Sequence, residues 1–242
     1  SLLSALLRQH AEMQPDAIAI LAPGRPPLTY LDLWRQVQHS VNALQLLGVT
    51  PSTRVAVVLP NGPEMATTFL AVAACAICAP LNPAYRLEEF RFYLEDACAQ
   101  FVVVAKGERG PVNVAAAELD LTVIEIESHA ALAAGKFSIG STSRDRTSAR
   151  LPSAPHDTAL ILHTSGTTAR PKIVPLSHTN LVASAHTIAR WLALQPSDRC
   201  LNVMPLFHIH GLVGALLASL AGGSSIVCTP GFDDKGFFDW VA

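Results

Sequence analysis

The sequence lacks the charge excess and the long hydrophobic runs that mark several classes of protein. Its 17 basic and 19 acidic residues give a formal net charge of −2, which provides no electrostatic footprint for nucleic acid or an anionic membrane. The longest apolar stretches, 69–81 and 211–223, are shorter than the ~20 residues of a membrane span. The N-terminal segment has no basic leader with a small-residue cleavage site, which indicates a first amphipathic helix. We therefore expect a soluble protein.

Regularly paired cysteines are also lacking. The five cysteines are an odd number at irregular spacings, which is typical of a reducing compartment, here the cytoplasm. Cys75 and Cys78 form a C-x-x-C pattern, but no second pair of cysteines or histidines follows at metal-ligand spacing. We interpret the pair as core residues rather than a redox or zinc site, and no protein metal ligands are predicted.

What the sequence does contain is an alternation of strand-like and helical segments. Half of the 242 residues are hydrophobic, which is enough for a large core. Short apolar runs predict strands at 17–21, 54–60, 101–105, 121–127, 158–164, 173–175, 200–204 and 225–228. Helical patterns lie between them at 30–47, 62–79, 86–98, from about 179, and 212–221. The alternation predicts an α/β fold with mostly parallel sheets.

The chain also carries signs of a division into two units. Residues 129–157 lose all periodicity and collect Ser, Thr, Arg and Pro, which is typical of a surface linker. We therefore predict a first α/β sub-domain at 1–128 and a second at 158–242. The helical pattern that opens at 235–242 leads us to expect that the second sub-domain is truncated.

A weak internal repeat supports two similar βα units. Arg54 precedes Pro60 by six residues with an apolar strand between them, and Arg199 precedes Pro205 in the same way. In both places a helix and another apolar segment follow. Two such units facing each other would leave a cleft between them.

The loop between the strands at 158–164 and 173–175 collects hydroxyl, glycine and basic residues, which are types that bind anions. It reads HTSGTTARPK from His163 to Lys172. Hydroxyls, backbone N–H groups, a glycine that permits close approach and a mobile cation together make a cradle for phosphate oxygens. The residues are Thr164, Ser165, Gly166, Thr167, Thr168 and Lys172. The pattern differs from the P-loop because Lys172 is not followed by Ser or Thr. The alternative is an ordinary hydrophilic hairpin, since Ser, Thr and Gly are common turn residues. The specific order T-S-G-T-T-x-x-P-K between two apolar strands favours the phosphate-binding interpretation.

These residues resemble the adenylate-forming (AMP-binding) superfamily of acyl- and aryl-CoA ligases, luciferases and peptide-synthetase adenylation domains. The family signature T-S-G-T-T-G-x-P-K is matched from Thr164 to Lys172 except at Ala169. A second family motif is matched by PLFHIHG, 205–211, and weaker resemblances are LTY at 28–30 and APLNP at 79–83. The form with two histidines is closest to synthetases of the oxalyl- and malonyl-CoA type. The resemblance covers essentially the whole chain and implies the N-terminal part of the family's fold.

The resemblance implies an ATP-dependent acid–thiol ligase of the AMP-forming, acyl-CoA synthetase type. ATP and a carboxylic acid form an acyl-adenylate with loss of pyrophosphate, and coenzyme A then takes the acyl group. Hydroxyl and lysine donors around the phosphates stabilise the leaving pyrophosphate, normally with Mg²⁺. It implies triphosphate contacts for Thr164, Ser165, Gly166, Thr167, Thr168 and Lys172, with Lys172 also catalytic.

The histidines are assigned by their context. By the resemblance, His208 lies at the carboxylate end of the acyl pocket and is the second catalytic residue, while His210 is left open. We interpret His163, at the end of a strand, and His186, on a helix, as structural. A small or medium carboxylic acid is the expected substrate.

Two other functions stay open. Transfer to the phosphopantetheine of a carrier protein could replace transfer to coenzyme A. A non-catalytic module that binds a nucleotide or a partner is suggested by Ala169 and by the family segments that are not found in these 242 residues. We expect that this segment alone is inactive. If the loop needs a positive φ at position 169, alanine costs roughly 1–2 kcal/mol there.

Overall fold

The structure, a computed structural model, describes residues 2–140, 153–164 and 171–241. The described residues form eleven strands: β1 (Ile18–Leu21), β2 (Leu28–Thr29), β3 (Arg54–Val58), β4 (Ile77–Pro80), β5 (Phe101–Ala105), β6 (Thr122–Glu127), β7 (Ser138–Ile139), β8 (Thr158–His163), β9 (Ile173–Ser177), β10 (Arg199–Asn202) and β11 (Ser225–Cys228). The helices are α1 (Leu3–Met13), α2 (Tyr30–Leu46), α3 (Pro63–Cys75), α4 (Leu87–Asp96), α5 (Pro111–Glu118), α6 (His178–Trp191), a π-helix (His210–Leu217), α7 (Ala218–Ala221) and α8 (Phe237–Val241).

The strands form two sheets. Seven strands pair in the order β7-β6-β5-β3-β4-β8-β9, and four pair in the order β10-β11-β1-β2. Strands β3, β4, β5, β6 and β8 run parallel to one another, and only β7 and β9 at the two ends are antiparallel. In the smaller sheet β1, β10 and β11 are parallel. The predicted α/β fold with mostly parallel sheets is confirmed.

Each sheet takes strands from both sides of the predicted linker. Strand β8 pairs with β4 through Leu160 and Cys78, and β1 pairs with β11 through Ile20 and Ile226. A division at residues 128 and 158 therefore cuts through both sheets. Part of the predicted linker is also packed: Phe137 is buried, and β7 follows it at the end of the larger sheet.

Helix α3 lies between the two sheets. Eleven of its thirteen residues are buried, which indicates a helix enclosed on all sides. It contacts β3, β4 and β8 of the larger sheet, β11 of the smaller one, and helices α1 and α2. The main hydrophobic core is built around it from residues of both sheets.

One predicted helix is shorter than expected. The helical prediction for 62–79 is wrong after Cys75, because Ala76 is extended and Ile77–Pro80 forms β4 between β3 and β8. The run is apolar throughout, so its periodicity does not separate a buried helix from a buried strand. Within this run, Cys75 and Cys78 are buried free thiols, and burial raises the pKa of Cys75 to about 12. Their interpretation as core residues is confirmed.

The start of α2 explains the LTY segment. Thr29 caps the helix, its side-chain oxygen accepting the backbone N–H of Asp32 at 3.2 Å. The buried hydroxyl of Tyr30 donates to the carbonyl oxygen of Ser224 at 2.7 Å, directly before β11. Gly48 follows the helix with a φ of 94°, a conformation that glycine adopts without strain. The segment therefore fixes α2 to the smaller sheet.

Candidate active site

The carboxyl ends of five parallel strands lie along one edge of the larger sheet. In spatial order, β6 is followed by Ser128, β5 by Lys106, β3 by Leu59 and Pro60, β4 by Leu81, and β8 by Thr164. Ligands of parallel α/β sheets bind in the crevice outside the carboxyl ends of the strands. The predicted phosphate-binding loop begins at this edge, which makes the edge the candidate active site.

The structure fixes the base of the predicted phosphate-binding loop. The backbone N–H of Thr164 donates to the carbonyl oxygen of Lys172 at 2.9 Å, and the N–H of Lys172 donates to Thr164 Oγ1 at 3.3 Å. These bonds continue the pairing of β8 with β9, whose last register is His163 with Ile173. Two predicted site residues, Thr164 and Lys172, are therefore brought together. The others, Ser165, Gly166, Thr167 and Thr168, lie with Ala169 outside the described residues.

His163 is the last residue of β8, directly before the loop, and contacts two residues of α4. Its Nε2 lies 3.1 Å from a carboxylate oxygen of Asp96, and its ring meets Tyr93 edge-on at 4.7 Å. Because a carboxylate only accepts, Nε2 carries the proton. Burial lowers the pKa of His163, although Asp96 acts in the opposite direction. These contacts agree with the interpretation of His163 as a structural histidine, which stays a prediction.

The second motif follows β10 as a tight turn into the π-helix. The backbone N–H of His208 donates to the carbonyl oxygen of Pro205 at 3.2 Å. A Cβ on residue 211 would lie 2.4 Å from that same oxygen, so Gly211 is the residue that the turn admits. The glycine at the end of PLFHIHG therefore has a steric origin.

The two histidines of the second motif are both exposed but have different surroundings. The His208 ring lies 4.5 Å from that of Phe207, tilted by 53°. The His210 ring lies beside Gly214, one turn further along the π-helix, where a Cβ would be 3.4 Å from its Cδ2. His210 thus packs along its own helix, whereas His208 stands in the turn before it.

Asn61 connects the two sheets beside the second motif. This residue was not identified from the sequence. Its Nδ2 donates to the carbonyl oxygen of Thr229, after β11, at 2.8 Å. Its Oδ1 accepts the backbone N–H of Leu206, in the second motif, at 2.8 Å. The repeated arginine–proline spacing was the signal that could have found it, because Pro60 and Pro205 directly precede Asn61 and Leu206.

A cavity of about 570 Å³ opens beside Asn61. It is lined by residues at the carboxyl ends of β1, β3, β5, β6 and β11 and in the segments that follow them. Its charged groups are paired: Arg25 contacts Glu64 at 3.1 Å and Lys106 contacts Glu127 at 2.8 Å. Thr164, Lys172 and His208 do not line it. We therefore place the candidate site at the motif segments and not in this cavity.

Comparison with known sequences decides the family. The profile of the AMP-binding enzyme family matches residues 7–242. The chain belongs to the AMP-binding enzyme family. Its resemblance to the adenylate-forming enzymes is thereby confirmed. It is 38% identical over 231 residues to an oxalate–CoA ligase of Arabidopsis thaliana, covering 93% of this chain and 44% of the relative. An oxalate–CoA ligase of Saccharomyces cerevisiae is 34% identical, covering 93% of this chain and 47% of the relative.

A solved structure of this AMP-binding family shows the same fold. ATP-bound MatB from Rhodopseudomonas palustris superposes with a TM-score of 0.81 at 27% identity, covering 98% of this chain and 47% of that one. The chain thus spans about half the length of the relatives it matches. No helix in the described part of the chain is long and apolar enough to cross a membrane. The roles of the individual site residues stay predictions.

Proposed function

We propose that the chain is the N-terminal part of an ATP-dependent carboxylic acid:CoA ligase. The whole protein would activate an acid as its acyl-adenylate and transfer the acyl group to the thiol of coenzyme A. One observation carries the proposal: the AMP-binding signature lies between β8 and β9, and its base is closed by Thr164 and Lys172 at the carboxyl edge of a parallel sheet. The relatives named as CoA ligases support the same activity.

In this proposal the signature loop binds the triphosphate of ATP. Thr164, Ser165, Gly166, Thr167 and Thr168 would donate hydroxyl and backbone N–H groups to the β- and γ-phosphate oxygens. Lys172 would place its ammonium group against the charge that develops on the leaving pyrophosphate. Mg²⁺, when bound with ATP, would neutralise part of that charge. Among residues 2–140, 153–164 and 171–241, no group of three His, Cys, Asp or Glu side chains is placed to hold a metal ion.

His208 would orient the carboxylate that attacks ATP. A carboxylate is a weak nucleophile, so its approach to the α-phosphorus has to be held in a defined geometry. His208 stands in a turn fixed by Pro205 and Gly211, and its ring is exposed for contact with a substrate. An imidazole N–H can donate a hydrogen bond to one carboxylate oxygen and leave the other free to attack.

The substrate that we propose is a small carboxylic acid with a second anionic group. The relatives include ligases named for oxalate and, at 30% identity, one of Cupriavidus necator named for sulfoacetate. Both acids are short, and their second charge is separated from the activated carboxylate by at most one carbon. Oxalate is therefore the first acid to test.

Acid-dependent exchange of pyrophosphate into ATP tests the activation step. The natural full-length product that contains this sequence is assayed with oxalate, malonate, sulfoacetate, acetate and a medium-chain acid. We expect exchange with at least one acid and, in a second assay, thioester formation with coenzyme A. Thioester formation only on a phosphopantetheinylated carrier protein would support the carrier-loading alternative. ATP binding without exchange for any acid would contradict the proposal and favour a non-catalytic module.

A further inference from the structure

The phosphate-binding loop and the second motif belong to different sheets. The loop connects β8 and β9 of the larger sheet, whereas the second motif follows β10 of the smaller one. Their relative position therefore depends on how the two sheets are joined at their carboxyl edges. Side chains that cross from one edge to the other are the candidates for setting it.

Both polar atoms of the Asn61 side-chain amide make hydrogen bonds from the edge of the larger sheet to the edge of the smaller one. It follows β3 of the larger sheet, and its two partners, Leu206 and Thr229, follow β10 and β11 of the smaller one. Both hydrogen bonds are 2.8 Å long and both partners are backbone groups. Because donor and acceptor are used at once, a shift of either sheet edge breaks one of the bonds.

The bond to Leu206 acts on the turn that holds His208. Leu206 is fully buried, so its backbone position is set by the core on one side and by Asn61 on the other. Pro205, one residue before it, accepts the N–H of His208 and packs against Gly211. The path from Asn61 to His208 therefore consists of one side-chain bond and a turn closed by the hydrogen bond from His208 to Pro205.

We infer that Asn61 is a positioning residue, which holds the turn of His208 in place relative to the sheet that carries the phosphate-binding loop. The inference rests on the proposed function, in which His208 orients the carboxylate. A displacement of about 1 Å in such a site can cost about 100-fold in rate. Asn61 needs no contact with the substrate to have this effect.

The structural half of the inference is testable without any activity. Hydrogen exchange of the 206–211 segment is measured in the full-length protein that contains this sequence and in its Asn61→Ala variant. Asn113→Ala is the matched control, because the side-chain bond of Asn113, from Nδ2 to the carbonyl oxygen of Glu108, is local. We expect about tenfold faster exchange of the Leu206 amide for Asn61→Ala, since its acceptor is removed. Unchanged exchange at Leu206 would overturn the inference.

The functional half uses the full-length protein and a double-mutant cycle. We expect Asn61→Ala to lower kcat for acid-dependent pyrophosphate exchange about 10–100-fold and to change KM for ATP less than about twofold. In a His208→Ala background the same substitution should cost less than about threefold, because Asn61 acts through His208. A merely structural role would lower the active fraction or the melting temperature without this dependence on His208.

The outcomes separate the inference from the proposed function. Absence of exchange in the unmodified protein, or full activity of His208→Ala, would contradict the proposed function. A loss for His208→Ala with no loss for Asn61→Ala, or multiplying losses in the double variant, would overturn the inference alone. If Asn61→Ala does not fold, Asn61→Asp takes its place in the cycle. That variant replaces the donor to Thr229 with a second acceptor, and its loss should also depend on His208.

Discussion

The carbonyl oxygen of Pro205 lies only 2.4 Å from the position that a Cβ atom on residue 211 would occupy. We predict that Gly211→Ala destabilises the chain by about 1–3 kcal/mol, because a backbone contact this close cannot relax by moving a flexible side chain. Urea denaturation measures the change. Gly140→Ala is the control, because the nearest atom that a Cβ there would meet among the described residues is Glu125 O at 3.6 Å. Equal midpoints for the two variants would contradict the steric argument.

Three histidines make the fold sensitive to acid. Burial is the largest cause of the lowered pKa values of His10, His163 and His178, whose ordinary value is 6.5. Below pH 6.5 the unfolded chain binds protons at these sites before the folded chain does. Their contribution to stability is therefore complete above pH 6.5 and is lost as the pH falls from there toward the folded pKa values.

The measurement is the free energy of unfolding at several pH values between 8 and 5. We expect it to fall on the acid side, and we expect a shallower fall for His178→Asn, because one of the three linked protons is removed. Exposed His156 supplies the control substitution, His156→Asn. A free energy that rises toward pH 5 would contradict the sign of the linkage.

The thiols should react in order of their exposure. Cys98 is exposed, whereas Cys75, Cys78 and Cys228 are buried, and burial raises the pKa of each of these three. Because the thiolate is the reactive form, a disulfide reagent should label Cys98 first in the native chain. Labelling at the three buried sites should appear only in denaturant. Peptide mass analysis identifies the sites, and fast native labelling of Cys75 would contradict the packing described for α3.

Lys172 should matter more to the rate than to folding. Lys172→Met in the full-length protein is expected to lower acid-dependent pyrophosphate exchange about 100–1,000-fold, because one preorganised donor to the leaving group is lost. The melting temperature should stay nearly unchanged, since Lys172 is exposed. Lys136→Met is the control: Lys136 pairs with Asp32 at 3.0 Å, and a surface pair of this kind contributes little. Similar exchange rates for both variants would exclude a catalytic Lys172.

Ala169 occupies a position that is glycine in the family signature. If the loop needs a positive φ at this position, alanine costs roughly 1–2 kcal/mol there and glycine does not. On that premise, we predict that Ala169→Gly lowers the apparent KM for ATP of the full-length protein. ATP-dependence of the exchange reaction measures it. An unchanged or higher KM would show that alanine is a neutral variation at this position.

Local pattern was enough to locate most elements and both motifs. The apolar runs at 101–105 and 121–127 became β5 and β6 at nearly the predicted bounds, because a buried parallel strand needs a short apolar run and little else. The pattern failed at 77–79, where the apolar run continues from a buried helix into a buried strand. It also missed α5, whose eight residues are too few to establish a helical period.

The sequence by itself determined the α/β class, the signature loop with its neighbouring strands, and the family. Only the tertiary structure decided which strands share a sheet. Strands β8 and β9 join the larger sheet with β3–β7, and β1 and β2 join the smaller sheet with β10 and β11. The tertiary structure alone brought Asn61 to Leu206, which are 145 residues apart. The physical reason is range: propensity and periodicity act within one element, whereas strand partners are selected by packing over the whole core.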